Sequence, residues 1–171
     1  GLSRLWQADG LPSGEVDALA LSLGADVPMC LYGKPAIASG VGEQLSPLPG
    51  LPPLFLVLGN PLRGVSTPDV FSRLATKDNP GLPSIGDGDW ARLLPHLRND
   101  LEEPARGLLP EIAEISALIG AQGAILTRMS GSGATCFGIF RSKAASLRAT
   151  AQLREARPDW YFEATETIAG S

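Results

Sequence analysis

Asp26 is the acidic residue with the most unusual neighbours in this 171-residue sequence. It stands in the stretch LGADVPMCL, after Ala25 and before Val27, Pro28 and Met29. An ionised carboxylate is costly in apolar surroundings unless it has a structural or a chemical use. Two interpretations are open. The residue forms an Asx-type turn, or it is a general base that accepts a proton from a substrate hydroxyl.

A second candidate is the stretch RGVSTPDVF, residues 63–71, which places hydroxyl groups before an aromatic ring. Ser66 and Thr67 stand at the start of a predicted helix, and Phe71 follows one turn later. Unpaired N–H groups at helix N-termini attract anions. Either this is a capped helix with a core phenylalanine, or a phosphate lies near Thr67 and a planar base stacks on Phe71.

The third candidate is the glycine-rich stretch RMSGSGATCFGIF, residues 128–140. Gly131 and Gly133 alternate with Ser130 and Ser132, and an apolar run follows them. Glycine lets an anion approach backbone N–H groups, but the stretch has neither the Gly-Lys-Ser/Thr of a P-loop nor a three-glycine dinucleotide pattern. A phosphate cradle and a hairpin turn therefore both remain open.

Acidic residues cluster once, in LRNDLEEP, which contains Asp100, Glu102 and Glu103. Paired carboxylates can perform acid–base or metal chemistry, although such a run is more often a solvated helix end or loop. His96 is the single histidine, and the two cysteines are far apart in sequence. No Cys/His spacing suggests a metal site, so we expect no structural metal.

Composition limits the classes of function. The net charge is −4 and 44% of the residues are hydrophobic, which favours a globular core and argues against non-specific nucleic-acid binding. We find no membrane-spanning apolar run and no secretory signal, and we therefore expect a cytoplasmic protein. Cys30 and Cys136 lie in apolar runs and are predicted to be reduced core residues.

The elements that must position the candidates change in type along the chain. A helix is predicted over residues 13–23, followed by strands near 28–32, 35–39 and 43–47. The stretch GLPPL, residues 50–54, is the best candidate for a domain boundary. The first twelve residues read as the last turns of a helix.

Beyond the boundary, strands and helices alternate, with a loop at 76–88. We predict strands at 54–60, 123–127, 134–140 and 160–165, and helices at 67–74, 89–97, 110–119 and 142–155. Thr67 is predicted to cap its helix, and the last helix to face inward with Ala144, Leu147 and Ala151. About four strands with helices on one side indicate an α+β, ferredoxin-like two-layer fold.

Five ordered stretches together resemble one family. They are LGADVPMCL, GVGEQLSPL, GVSTPDVF, NDLEEP and MSGSGATCFGIF. In this order they resemble the 4-diphosphocytidyl-2-C-methyl-D-erythritol kinases, members of the GHMP kinase superfamily, to which galactokinase, homoserine kinase, mevalonate kinase and phosphomevalonate kinase also belong. The resemblance spans nearly the whole chain, and LGADVP with MSGSGAT is its most specific pair.

The resemblance implies an activity and a role for each candidate. ATP, with Mg²⁺, would phosphorylate the 2-hydroxyl of the small-molecule substrate in the non-mevalonate route to isoprenoids. Asp26 matches the family's catalytic base, Thr67 a hydroxyl near the active centre, and Phe71 the aromatic that stacks on cytosine. The residues Ser130, Gly131, Ser132 and Gly133 match a glycine-rich loop that closes on the cleft.

The sequence departs from the family in one respect. The family's main ATP-phosphate loop and its catalytic lysine are expected upstream of LSRLW and are absent from this sequence. We therefore expect residues 1–50 to be the end of an N-terminal domain and residues 54–171 to be the GHMP kinase C-terminal domain. On this interpretation the chain is a fragment, inactive without the missing segment. Its first part is then expected to be the least stable, and prone to dimerise or to be disordered.

Two alternatives remain at this stage. One is another small-molecule kinase of the same superfamily, against which ADVP followed by VSTPDVF argues. The other is a ferredoxin-like binding module without catalysis, which the absence of the ATP loop favours. A substrate panel separates another small-molecule kinase from our preferred function. A glycine- and serine-rich segment upstream in the coding sequence would argue against the binding module.

Overall fold

The computed structural model describes residues 13–40, 42–76 and 94–170. The chain divides into two compact units, one running to Pro52 and including residues 168–171, the other running from Pro53 to Thr167. The predicted helical turns at residues 1–12 lie outside the described residues. So do residues 77–93, which hold most of a predicted loop and the start of a predicted helix.

The described residues of the first unit form two helices and a two-stranded antiparallel sheet. The helices are α1 (Ser13–Leu23) and α2 (Val27–Tyr32), and strand β1 (Ala36–Ser39) pairs with β2 (Gln44–Pro47). The predictions of α1 and of the two strands are confirmed. The prediction of a strand near residues 28–32 was wrong.

Helix α2 forms there because its ends carry helix signals. Pro28 lies in the first turn, where its missing N–H needs no partner. Gly33 ends the helix in the left-handed conformation, with φ +62°. A six-residue apolar run shows no clear period, so sequence alone does not separate a strand from a helix. The helix leaves Cys30 exposed, and its prediction as a core residue was also wrong.

The second unit is built on a four-stranded antiparallel sheet in the order β4-β5-β3-β6. The predicted α+β fold of helices on an antiparallel sheet is confirmed. The strands are β3 (Phe55–Asn60), β4 (Leu126–Met129), β5 (Cys136–Phe140) and β6 (Tyr161–Glu166). Its helices within the described ranges are α3 (Thr67–Ser72), α4 (Glu102–Leu108), α5 (Glu111–Ala121) and α6 (Lys143–Ala156), and a 3₁₀ turn lies at Leu94–His96.

Helix α5 packs closely on the two central strands because glycine lies beneath it. A Cβ at Gly59 of β3 would lie 2.9 Å from Ile115 Cγ2, and one at Gly138 of β5 would collide with Ile119. Ile115 and Ile119 are fully buried together with Ile112. The i, i+3, i+7 spacing of these three isoleucines in the sequence is typical of one helix face. The two glycines therefore set the distance between the helix and the sheet.

Helix α6 presents a different face to the sheet from the one predicted. Ala144, Leu147 and Ala151 are exposed, so their predicted inward position was wrong. The buried residues are Ser146, Ala149, Thr150 and Leu153. Small side chains let this helix approach the sheet. The hydroxyl of Ser146 donates a hydrogen bond to the backbone carbonyl of Lys143 at 2.9 Å.

Across the described ranges, no helix combines the length and apolar character that a membrane crossing requires.

Candidate functional site

Helix α3 brings a hydroxyl group to the glycine-rich loop. Its N-cap is Ser66, whose Oγ accepts a hydrogen bond from Asp69 N at 3.4 Å, so the prediction of Thr67 as the cap was wrong. Thr67 Oγ1 instead lies 2.7 Å from Ser132 Oγ. Thr67 and Ser132 are 65 residues apart in sequence. The structure thus brings together two of the predicted site segments.

The same helix leaves an aromatic ring at the surface. Val70 is fully buried in the core, whereas Phe71 is 46% exposed. Phe71 is therefore not a core phenylalanine, and its ring is accessible to a planar ligand. The buried Val70 fixes the helix from which the ring projects.

The glycine-rich loop joins β4 to β5 as a hairpin connection. Ser130 N donates to Thr135 O at 2.8 Å, and Gly133 N donates to Ser130 O at 3.1 Å. Gly131 and Gly133 have φ values of +56° and +95°, which glycine adopts without strain. A Cβ at Gly133 would lie 2.9 Å from Met129 Sδ. The stretch is thus a turn between strands whose compactness depends on glycine.

Asn99 holds the start of this loop, and sequence analysis did not single it out. Its Nδ2 donates to Met129 O at 3.0 Å and to Gly131 O at 2.8 Å. Its Oδ1 accepts from Leu101 N at 3.1 Å. One amide side chain therefore ties the loop to the start of α4. No local pattern reveals this role, because the two carbonyls lie about 30 residues away in sequence.

Glu102 of helix α4 also holds the start of the loop, at Met129. Its side chain is 13% exposed, and its carboxylate accepts from Met129 N at 3.2 Å and pairs with Arg106 at 2.5 Å. Its neighbour Glu103 is 85% exposed, as a solvated run predicts. The Glu102–Arg106 pair has the i,i+4 spacing visible in sequence. The contact with Met129 N was not foreseeable from that spacing.

The other end of the loop is anchored by Asn60 at the end of β3. Its Nδ2 donates to Thr135 Oγ1 at 2.8 Å, and its Oδ1 accepts from Leu62 N at 2.7 Å. Leu62 has a φ of +56°, in the left-handed region that disfavours branched side chains. The amide of Asn60 thus fixes an irregular backbone segment and the loop together.

The loop also forms one edge of an apolar groove of about 750 Å³. The groove follows the face of the sheet formed by Leu56 and Phe137, which alternate with residues that face the helices. Ser130 and Gly131 line it at the loop end.

Asp26 belongs to the first unit, where it is the N-cap residue of α2. Its carbonyl accepts from Cys30 N at 3.1 Å, while its carboxylate makes no capping hydrogen bond and is exposed. Gly42, with φ +111°, lies against this corner, since a Cβ there would collide with Ala25 O. The β1–β2 turn therefore supports the residue before Asp26 and leaves the carboxylate accessible. This is not the arrangement of an Asx-type cap.

The described residues include no group of three His, Cys, Asp or Glu side chains placed to hold a metal ion.

Comparison with known proteins adds to this geometry. The family described as "GHMP kinases C terminal" matches residues 82–159. The chain contains a GHMP kinase C-terminal domain. Its α+β fold of helices on an antiparallel sheet is that of the C-terminal domain of this family, whose members use ATP.

Curated relatives of this chain share a name. A protein from Rhizobium johnstonii named 4-diphosphocytidyl-2-C-methyl-D-erythritol kinase is 60% identical over 99% of this chain and 57% of its own length. A protein of the same name from Agrobacterium fabrum is 53% identical over 98% of this chain and 58% of its own length. The chain therefore spans less than two thirds of the relatives that it matches.

Solved structures agree. The crystal structure of a 4-(cytidine 5′-diphospho)-2C-methyl-D-erythritol kinase superposes with a TM-score of 0.79 at 35% identity, covering 99% of this chain and 61% of that one. A homoserine kinase from Cytophaga hutchinsonii gives 0.58 at 18% identity, covering 85% of this chain and 51% of that one. The second match supports the fold alone.

Proposed function

We propose that the protein containing this chain is a 4-diphosphocytidyl-2-C-methyl-D-erythritol kinase. It transfers the γ-phosphoryl group of ATP to the 2-hydroxyl of its substrate in the non-mevalonate route to isoprenoids. The observation that carries this proposal is 60% identity over 99% of the chain to a relative of that name. In the same proposal, residues 54–171 are the C-terminal domain and residues 1–50 are the end of the N-terminal domain.

Asp26 is the proposed general base. Its exposed carboxylate, free of a capping bond, accepts the proton of the 2-hydroxyl as that oxygen attacks the γ-phosphorus and the bond to ADP breaks. Phosphoryl transfer depends mainly on positioning and on charge stabilisation. The base therefore need not be strongly basic, provided that its carboxylate is held in place.

The second unit supplies the proposed substrate contacts. The exposed ring of Phe71 stacks on the cytosine, and the Thr67 hydroxyl, which lies 2.7 Å from Ser132 Oγ, contacts the reacting region. In the loop of Ser130, Gly131, Ser132 and Gly133, the N–H groups of Ser130 and Gly133 bond within the turn. Those of Gly131 and Ser132 are the ones proposed to contact phosphate. Mg²⁺ is proposed to enter with ATP, and no step is assigned to a metal held by this chain.

A substrate panel tests the proposed activity. The complete gene product that contains this sequence should phosphorylate the cytidyl diphosphate substrate with ATP, and should leave mevalonate and homoserine unchanged. The measurement is ³¹P NMR of the product. Phosphorylation of homoserine or mevalonate, but not of the cytidyl substrate, would assign the protein to another branch of the GHMP kinases.

The role of Asp26 has its own test. Asp26→Asn removes the proton acceptor without changing shape, and we expect kcat to fall by about 10²–10⁴-fold with an unchanged melting temperature. Asp17→Asn, at an exposed position of α1, is the matched control and should keep the wild-type rate. A rate near wild type in Asp26→Asn would reject the base assignment.

A further inference from the structure

We propose that Asn99 and Glu102 are positioning residues that hold the glycine-rich loop, residues 130–133, in the form that phosphoryl transfer requires. The inference rests on the proposed function, because it takes the loop to contact phosphate. It adds two residues to that site, both from the segment that begins α4 and neither within the loop itself.

The need for such residues follows from the sheet. Strand β4 lies at the edge of the order β4-β5-β3-β6. Within the described ranges, the outward backbone groups of its last residue therefore have no strand partner. At Met129 the backbone N–H donates to Glu102 and the backbone C=O accepts from Asn99. Two side chains thus take the place of a neighbouring strand at the point where the loop begins.

Asn99 is suited to this position by its chemistry. Its NH₂ group provides two donors, and these bond the carbonyls of Met129 and Gly131, on either side of Ser130. Its oxygen is occupied by Leu101 N, which fixes the orientation of the amide. An aspartate here would set a negative oxygen against two carbonyl oxygens. The position therefore requires an amide rather than a carboxylate.

Glu102 adds a charge-assisted hydrogen bond. Its Oε2 accepts from Met129 N while its Oε1 pairs with Arg106 Nη2, and the side chain is largely removed from solvent. Hydrogen bonds to an ionised acceptor are stronger than neutral ones. Arg106 holds the carboxylate in the orientation that reaches β4.

The loop needs such support because its glycines make the backbone flexible. Two glycines with positive φ give the backbone more freedom than other residues would. Donors to a transferring phosphoryl group must be held within about 0.5 Å of their productive positions. A misplacement of about 1 Å can cost about 10²-fold in rate. Loss of the Asn99 contacts should thus affect the chemical step more than substrate binding.

The test compares variants of the complete gene product. Asn99→Ala and Asn99→Asp remove both donors, Glu102→Gln keeps an acceptor oxygen, and Glu103→Gln is the exposed control. We measure kcat, the KM for ATP and for the cytidyl substrate, the melting temperature, and amide hydrogen exchange at residues 129–133. We expect faster exchange and a kcat reduced about tenfold or more for both Asn99 variants, with the KM of the cytidyl substrate unchanged.

The two glutamate variants separate support of the loop from a general effect of removing charge. Glu102→Gln should show a smaller loss than Asn99→Ala, and Glu103→Gln should match wild type. Unchanged exchange in Asn99→Ala, or faster exchange with kcat within about twofold of wild type, overturns the proposal. A melting temperature of Asn99→Ala that falls into the assay range, with kcat restored at lower temperature, overturns it as well, because loss of folded protein lowers the apparent kcat without changing either KM.

Failure of the proposed function gives a different result. If the wild-type protein phosphorylates no cytidyl substrate, the proposed activity falls, and the exchange rates in Asn99→Ala still decide whether this residue holds the loop. If Asn99→Ala does not fold, the comparison of Asn99→Asp and Glu102→Gln with Glu103→Gln decides the question in the same way.

Discussion

The two cysteines of this chain have opposite environments. Cys136, the first residue of β5, is fully buried, and burial raises the pKa of its thiol above the ordinary value of 9.0. Ser116 Oγ lies 3.6 Å from its Sγ. Cys30 is exposed on α2. A buried thiol with a raised pKa is a poor nucleophile, so Cys136 is a packing residue at the base of the loop.

We predict that a thiol-specific reagent at pH 8 modifies one cysteine of this chain in the folded state. Cys30 should react rapidly, and Cys136 only after denaturation, because the thiolate is the reactive form. The stability that the neutral Cys136 contributes is complete below pH 9.0 and is lost as the pH rises through its folded value. Cys30→Ser should abolish the rapid phase. Equal rates for both thiols would contradict the burial of Cys136.

At Phe71, we predict a loss of substrate binding on truncation. If the exposed ring stacks on cytosine, Phe71→Ala removes about 1–3 kcal/mol of binding free energy. The KM for the cytidyl substrate should then rise by about 5- to 150-fold, with a smaller change in kcat. Phe71→Tyr keeps the ring face and should retain a KM near that of wild type. An unchanged KM in Phe71→Ala would remove Phe71 from the proposed site.

At the scale of elements, helices α5 and α6 pack on the sheet by different means. Helix α5 places isoleucines over Gly59 and Gly138 of the central strands. Helix α6 instead buries small and polar residues with one large one, Leu153. Its solvent-facing side includes Leu147, which is 54% exposed. The stability of this helix on the sheet should therefore depend on Leu153 rather than on Leu147.

Matched truncations test this face. Leu153→Ala should lower the free energy of unfolding by about 2–5 kcal/mol, because it leaves a cavity in the core. Leu147→Ala should change the same quantity by no more than about 0.5 kcal/mol. Urea unfolding followed by circular dichroism measures both. A larger loss for Leu147→Ala would favour the inward face predicted from the sequence over the one in the structure.

At the scale of the whole molecule, the buried core is concentrated in one unit. Among the described residues of the first unit, Ala20 is the one buried hydrophobic residue, and Leu19 and Leu23 of the same helix are exposed. The continuous cluster of buried apolar side chains lies within residues 53–167. The second unit therefore has a hydrophobic core of its own with which to fold alone. The first unit buries fewer apolar side chains.

We predict that residues 53–167 fold as an isolated segment. Because the core cluster and all four strands of the large sheet lie in this range, the segment should unfold in one cooperative transition. Its melting temperature should lie within a few degrees of that transition in the full chain. A segment of residues 1–52 is the comparison and should show no cooperative transition. A non-cooperative melt of residues 53–167 would contradict this.

The sequence by itself determined the fold class and most elements, because local patterns carry them. The strand at residues 54–60 and the buried face of α5 follow from apolar runs and helical spacing. The candidates Asp26, Thr67, Phe71 and the glycine-rich loop came from residue types in small stretches. Their proposed roles came from a family resemblance rather than from spacing, and they remain proposals.

Tertiary structure alone decided which side chains meet. The pairing of Thr67 with Ser132 and the support of the loop by Asn99 and Glu102 join residues far apart in sequence. The inward face of α6 depends on a sheet that accepts small side chains, which hydrophobicity does not report. Hydrogen bonds across such separations depend on where the folded chain places each donor and acceptor, and no local pattern encodes that.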